Sequence, residues 1–441
     1  MRIGAGAGYS GDRIDPAVEL AERGKINYLV FECLAERTIA LAQKAKLKNP
    51  ESGFDPLLEE RMEAVLPLCV HNQIRIITNM GAANPAAAVV RTRAIAARLG
   101  LHGLRIAAVT GDDVLAAVAV GGFRFIENGQ PVESLADRLV SANAYLGAEP
   151  ILAALRAGAD VVLTGRVADP SLFLAPLMHE FGWDASEWNL LGRGTVVGHL
   201  LECAGQVTGG YFADPGVKDV TGIAHLGFPI AEVSADGCAL VTKVEGSGGE
   251  VTEATCKEQL LYEIQDPCCY LTPDVTADFS GVTLHQQSRD RVRVRDGKGH
   301  PRPEQLKASI GYRDGYIGEG QISYAGPGAL GRAQMAARIL EERLSAARLS
   351  ALRFDYIGVS SIHGDSLSPI AHEPWEVRLR VVARAETEQL ASRIQREVEA
   401  LYTNGPAGGG GATGSIRETI AILSTLIGRD RVHPSVQMEV S

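Results

Sequence analysis

The sequence predicts an α/β protein: a large domain with a mostly parallel sheet and flanking helices, followed by a small α+β unit. Short apolar runs alternate with helical patterns through the first half of the chain, which is the signature of β-α units. Beyond about residue 345, the strand-like runs RFDYIGVSSIH and EVRLRVVARA, a helical segment from Glu386 to Tyr402 and a closing HPSVQMEV form a separate group. At 441 residues the chain exceeds what a single core usually serves, so two or three structural units are expected.

The elements follow in order. Arg2 to Ala5 reads as the first strand, and Asp15-Pro16 opens a helix because Asp can cap and Pro suits the first turn. INYLVFE is the second strand, ending at Glu32, and LAERTIALAQKA is the helix behind it. A further helix is predicted from Asp55 to Cys69. IRIITNMG ends at Asn79, and Asn84-Pro85 opens a helix to about Leu99. LRIAAVTGDD stops at Asp112-Asp113, and GADVVLTGRVAD places Arg166 and Asp169 just past a strand, before a helix from Pro170 to Phe181. Ligands of open α/β sheets sit outside the carboxyl ends of the strands, so Glu32, Asn79, Asp112, Arg166 and Asp169 are expected on one rim. From about residue 221 to 330 the pattern turns β-rich, with Gly, Pro and Asp turns.

Bulk composition narrows the function. A formal charge of -10 argues against a nucleic-acid partner, which needs clustered Lys and Arg to displace counterions. No run approaches a membrane span, and MRIGAGAGYSGDR lacks the cationic start and apolar run of a secretory signal, so a cytoplasmic protein with no membrane partner is expected. The seven cysteines include no C-x-x-C pair, which favours free thiols over a disulfide frame or structural zinc. The vicinal Cys268 and Cys269 leave a redox or metal role open.

Each motif carries two readings. Gly6, Gly8 and Gly11 satisfy G-x-G-x-x-G after a strand, with Glu32 closing the next strand, as in a dinucleotide site. The helix, however, starts only at Asp15-Pro16, which fits a turn allowing close backbone approach better than NAD or FAD binding. Arg166 and Asp169 either grip a carboxylate or phosphate, or pair with each other. Asp112 and Asp113 are either paired acids or a helix cap. Glu32 and Glu36 lie four apart at a helix start. The segment NGPAGGGGATGSIRE, with Gly408, Gly409, Gly410 and Gly411, precedes SIRETIAILSTLI, read as a helix, so amides and a helix N-terminus are expected to face an anion. Gly326 and Gly328 repeat that strand-turn-helix logic, with Tyr324 as a candidate acid or donor. His199, four before Cys203, and His363, two before Asp365, stand out among the histidines; no metal set is predicted.

The blocks GAGAGYSGDR, FECLAERT, ITNMGAANP, TGRVADPSL, HLLECAGQVTGGYF, YEIQDPCCYLTPDV, YAGPGALGRA and NGPAGGGG, in this order, resemble the acyclic terpene utilisation AtuA family over essentially the whole chain. The resemblance implies a large N-terminal α/β domain through about residue 345 and a small ferredoxin-like domain over 346–441. It also implies catabolism of acyclic terpenes through coenzyme A thioesters, with no reaction assigned. The reading that combines both lines is a hydratase or other carbon-oxygen lyase. Its substrate would be a small organic acid or acyl thioester, with coenzyme A present only as part of that substrate and no separate cofactor. Glu32, Asp112, Arg166, Asp169 and Tyr324 would carry the chemistry, and Asn79 with the glycines of the three turns would hold the anion. A non-catalytic acyl-binding or assembly subunit and a nucleotide-dependent oxidoreductase are the alternatives. A homo-oligomer, a dimer or a multiple of it, is expected.

Overall fold

In a computed structural model, residues 1–368 and 373–441 are described, apart from the side chain of Asp365. The chain divides into two compact units, residues 1–311 with 422–441, and residues 312–421. The large domain expected to run to 345 thus ends earlier, and the last residues return to it.

The larger unit opens with β1 (Arg2–Ala7), α1 (Asp15–Arg23), β2 (Tyr28–Phe31), α2 (Glu36–Lys48), α3 (Leu58–His71), β3 (Arg75–Thr78), α4 (Pro85–Arg98), β4 (Arg105–Thr110) and α5 (Leu115–Ala119). It continues with β5 (Leu139–Ala144), α6 (Glu149–Arg156), β6 (Val161–Thr164), α7 (Ser171–Phe181), α8 (Trp188–Glu202), β7 (Pro229–Val233), β8 (Ala239–Lys243) and α9 (Glu253–Leu261). Short strands follow: β9 (Tyr270–Leu271), β10 (Thr276–Asp278), β11 (Thr283–Ser288), β12 (Arg291–Arg295) and β13 (Lys298–His300). The main sheet has the order β11-β12-β8-β7-β1-β2-β3-β6-β4, closed at its far edge by Ser435–Val440.

Only the centre of this sheet, β1-β2-β3-β6-β4, is parallel; both flanks are antiparallel, so the sheet is mixed rather than mostly parallel. The physical reason is legible in burial. The central runs YLVF and VVLT are buried at every position, as strands covered on both faces by crossover helices must be. At the outer strand β11 the pattern is only intermittently covered, and hairpins suffice there.

The smaller unit is built from β14 (Gln305–Ala325), α10 (Ala329–Ser345), β15 (Ser350–Ile357), β16 (Glu376–Ala385), α11 (Glu388–Asn404) and β17 (Gly410–Gly428); the closing strand of the larger unit is β18 (Ser435–Val440). β14 and β17 contribute residues to both units. The sheet order is β15-β16-β14-β17, and α10 and α11 bury Ala336, Leu340, Ile394 and Val398 against Ile322, Tyr324, Leu379 and Val381. SIRETIAILSTLI, expected to be helical, is the body of β17. Its β-branched residues and the spacing of Ile416, Ile420 and Ile422 suit a pleated strand.

Candidate functional site

The larger unit encloses a cavity of about 1340 Å³ beyond the carboxyl ends of its parallel strands. Glu32 follows β2 and is nearly buried. Its Oε1 accepts the Leu34 amide at 2.8 Å and the Asn79 Nδ2 at 2.9 Å, which leaves Oε2 to carry the proton when the group is an acid. Asn79, in turn, accepts the Cys33 amide at 2.7 Å. Asn79 is fully buried and does not line the cavity; it fixes Glu32 from behind. Burial, reinforced by Asp169, pushes the Glu32 carboxyl up to about 8 despite Arg166 and the two hydrogen bonds.

Arg166 follows β6 and is also buried. Its Nη1 donates to Asp169 Oδ1 at 3.0 Å and to the Leu34 carbonyl, so Arg166 and Asp169 pair with each other. The guanidinium carbon lies 4.1 Å from the centroid of the Tyr145 ring. Its Nε has no hydrogen-bond partner among the described residues. Burial alone would depress the guanidinium, but Asp169, Tyr145, Glu36 and Glu32 hold it firmly charged. The Asp169 carboxyl is raised by burial, helped by Glu36 and Glu263, even against Arg166.

Asp112 does not line the cavity. Its Oδ2 accepts the Arg166 amide and Asn143 Nδ2, each at 2.9 Å, which braces the turn after β6. Burial brings it to about 6. Because a Cβ at Gly165 would lie 2.3 Å from Asp112 Oδ1, glycine is required at that turn.

Several lining residues carried no signal in the sequence reading. Tyr145, just past β5, donates its hydroxyl to Glu36, and Lys307 Nζ meets the same carboxylate at 3.2 Å. Burial would raise Glu36, yet Arg166, Tyr145 and Lys307 outweigh it and hold it at about 2. Glu202 ends α8 in the cavity wall, with His199 Nδ1 3.0 Å from its Oε1. Glu263 and Tyr270 complete this side. The block HLLECAG contained both His199 and Glu202 at a helical i, i+3 spacing, the one available clue to that pair. Tyr9, Ile126, Tyr211, Ile223 and Leu271 line the cavity while staying exposed, an apolar surface at its opening.

The glycine turns do other work than the one expected. Gly8 lines the cavity, but its amide is taken by Asp12 Oδ2 at 2.9 Å, and a Cβ there would lie 2.5 Å from the Cys203 carbonyl carbon. A Cβ at Gly6 or Gly11 would meet the rings of Phe31 or Tyr9 at 2.7 Å. Since α1 begins only at Asp15, no helix N-terminus opens within this turn. Tyr324, Gly326, Gly328 and Gly408–Gly411 belong to the smaller unit and line no part of the cavity. Tyr324 is a buried core residue, Gly328 donates its amide to Glu373 at 2.8 Å, and the tract from Gly408 leads into a strand. His363 is exposed in the smaller unit, and the Asp365 side chain lies outside the described residues.

All seven cysteines are free, and among the described residues no group of three or more His, Cys, Asp and Glu is placed to hold a metal ion. Nor is any described helix long and apolar enough to cross a membrane. No curated protein and no solved structure matches the chain. Residues 1–438 match the acyclic terpene utilisation family protein AtuA. That match spans nearly every element described above, and the chain therefore belongs to the AtuA family, which ties it to acyclic terpene utilisation.

Proposed function

We propose that the protein is a hydratase or related carbon-oxygen lyase acting on the coenzyme A thioester of a branched acyclic acid, in the cytoplasm and as a homo-oligomer. The observation that carries this reading is Glu32: a cavity carboxyl held by two hydrogen bonds and poised near 8. A proton-transfer group is most effective when its pKa lies near the working pH. Dehydration of a 3-hydroxyacyl thioester asks for such a group. The Glu32 carboxylate takes the C2 proton, the C2=C3 bond forms as the C3–O bond breaks, and the hydroxyl leaves as water once protonated. Hydration is the reverse.

The cavity's charge balance favours a thioester over a free acid. Asp12, Glu32, Glu36, Asp169, Glu202, Glu263 and Glu304 face only Arg13, Arg166 and Lys307, and Arg166 is already paired with Asp169. With Glu32, Asp169 and Glu202 holding protons, this lining offers a bare carboxylate little net attraction, and the acyl end of a coenzyme A thioester, which is neutral although its phosphates are not, needs none. The exposed apolar surface at the opening suits a branched hydrocarbon chain. We also read the smaller unit as ferredoxin-like, because β14-α10-β15-β16-α11-β17 follows the β-α-β-β-α-β order.

The test is a panel of branched 2-enoyl and 3-hydroxyacyl thioesters offered to the wild type and to Glu32→Gln. Interconversion by the wild type is expected, with the dehydration rate rising through about pH 8 as Glu32 loses its proton. A wild type inert toward the whole panel would refute the reading.

A further inference from the structure

The cavity holds a second carboxyl whose surroundings the strand-end logic does not explain. Glu202 closes α8, lines the cavity and is more than nine-tenths buried. One oxygen is accounted for, since Oε1 lies 3.0 Å from His199 Nδ1. The other, Oε2, is buried with no hydrogen-bond partner among the described residues, as is His199 Nε2. An unpartnered buried carboxyl oxygen carries an uncompensated desolvation cost, which favours the protonated carboxyl and which a ligand hydroxyl would relieve once the carboxyl turns toward the cavity.

His199 is built to hold rather than to touch. It is buried and does not line the cavity. Its ring packs in a triangle with Tyr270 and Phe279, with centroids 5.6 and 5.4 Å away, and its carbonyl accepts Gln259 Nε2 at 2.9 Å. Those contacts fix the imidazole, and the imidazole fixes Glu202.

We propose that Glu202 is the second proton-transfer group of the site, protonating the departing 3-hydroxyl while Glu32 takes the C2 proton, and that His199 is its positioning residue. This rests on the lyase reading above. With Nδ1–H donating to Oε1, the carboxyl proton sits on Oε2, and a turn of the carboxyl toward the cavity that Glu202 lines would bring it to the hydroxyl. In the dehydration step the Glu32 carboxylate gains the C2 proton, Glu202 surrenders its own to the C3 oxygen, and water departs; solvent exchange then restores both groups.

The charges around Glu202 agree with the direction. Burial and the neighbouring Asp169 and Glu263 carboxyls drive it well above an ordinary carboxyl, with Arg166 the opposing charge. His199 is kept neutral by burial, at about 4, so it supplies no positive charge to ionise Glu202 near neutrality. Glu32, at about 8, is the group that ionises while Glu202 remains an acid.

Two readouts separate the roles. Dehydration of a branched 3-hydroxyacyl thioester needs both carboxyls, whereas exchange of the C2 proton of the saturated thioester with deuterium oxide needs only Glu32. Glu202→Gln is expected to lose on the order of 10²-fold or more in dehydration while keeping exchange within about threefold, whereas Glu32→Gln loses both. His199→Gln is expected to lower kcat for dehydration by about tenfold with little change in KM and to shift the alkaline limb of its pH profile. If Glu202→Gln fails to fold, Glu202→Asp carries the test: its carboxyl is withdrawn by one methylene and should slow dehydration at least tenfold while sparing exchange. Dehydration at the wild-type rate in either Glu202 variant overturns this proposal and leaves the lyase reading standing. Absence of both reactions in the wild type overturns the lyase reading itself.

Discussion

The cavity of the larger unit and the open face of the smaller unit's sheet use the same residue types to opposite effect. On β14, β15 and β16, cations and carboxylates match: Arg380 meets Glu319 and Asp355 at 2.7 Å each, and Arg353 meets Asp355 at 2.5 Å. Burial would raise Glu319, but Gln321 and Arg380 overcome it and keep the group a carboxylate. In the cavity, by contrast, Glu32, Asp169 and Glu202 crowd one guanidinium, and all three are raised. Matched charges hold a sheet together, while an excess of carboxyls under one arginine stores protons where they can be used.

The sharpest way to break that contrast is at Glu32. Glutamine keeps an oxygen for Leu34 and Asn79 but cannot titrate, so Glu32→Gln should cost about 10²- to 10⁴-fold in kcat on a responsive thioester. The sign for stability is opposite. A carboxyl raised from 4.5 to about 8 binds more protons when folded over that interval, so the wild type loses stability as pH climbs through it. Thermal melts of Glu32→Gln should therefore be flatter with pH and higher than wild type at pH 9. A lower melt there would show that the burial of this charge is not what destabilises the fold.

Next in size is Arg166. Replacing it with Met leaves half-buried Asp169 and the Leu34 carbonyl without their donor, a loss of about 2–3 kcal/mol in urea unfolding. Arg380→Met, at a partly exposed pair, should cost nearer to about 1 kcal/mol. Equal losses would erase the distinction between the two regions.

How much of this was legible follows from where each residue sits on the chain. Glu32 and Arg166 end apolar runs, and a parallel strand's carboxyl end is a place that the local pattern marks by itself. Asn79 and Asp112 carry the same mark, yet one lies behind Glu32 and the other beneath the Arg166 turn, because the pattern gives position along the strand and not depth below the rim. Tyr145, Lys307 and Glu202 come from the end of β5, the start of β14 and a helix C-terminus, and only tertiary packing brings them to the cavity. The glycine tract misled because glycines before an apolar run introduce a strand as readily as a helix. The alternation at Ile420 and Ile422 was the better guide.

A smaller effect sharpens the role of the first glycine turn. Gly8→Ala would place a methyl 2.5 Å from the Cys203 carbonyl carbon, next to Glu202, and should cost about 1–3 kcal/mol in chemical denaturation. The smallest change is expected at His199. Its neutral, buried ring binds fewer protons than the unfolded chain between about 4 and 6.5, so that share of stability is lost as pH falls through this interval. Replacement by Gln should flatten melting curves there.

The central claim is that the cavity holds Glu32 as an acid with a proton to give or take near working pH. Carboxyl-labelled glutamate, followed by carbon NMR across pH in the wild type and in Glu32→Gln, reads this directly. A resonance titrating near pH 8 that vanishes in the variant is the predicted result. A wild type whose Glu32 resonance titrates near 4.5, like an ordinary glutamate, would contradict it.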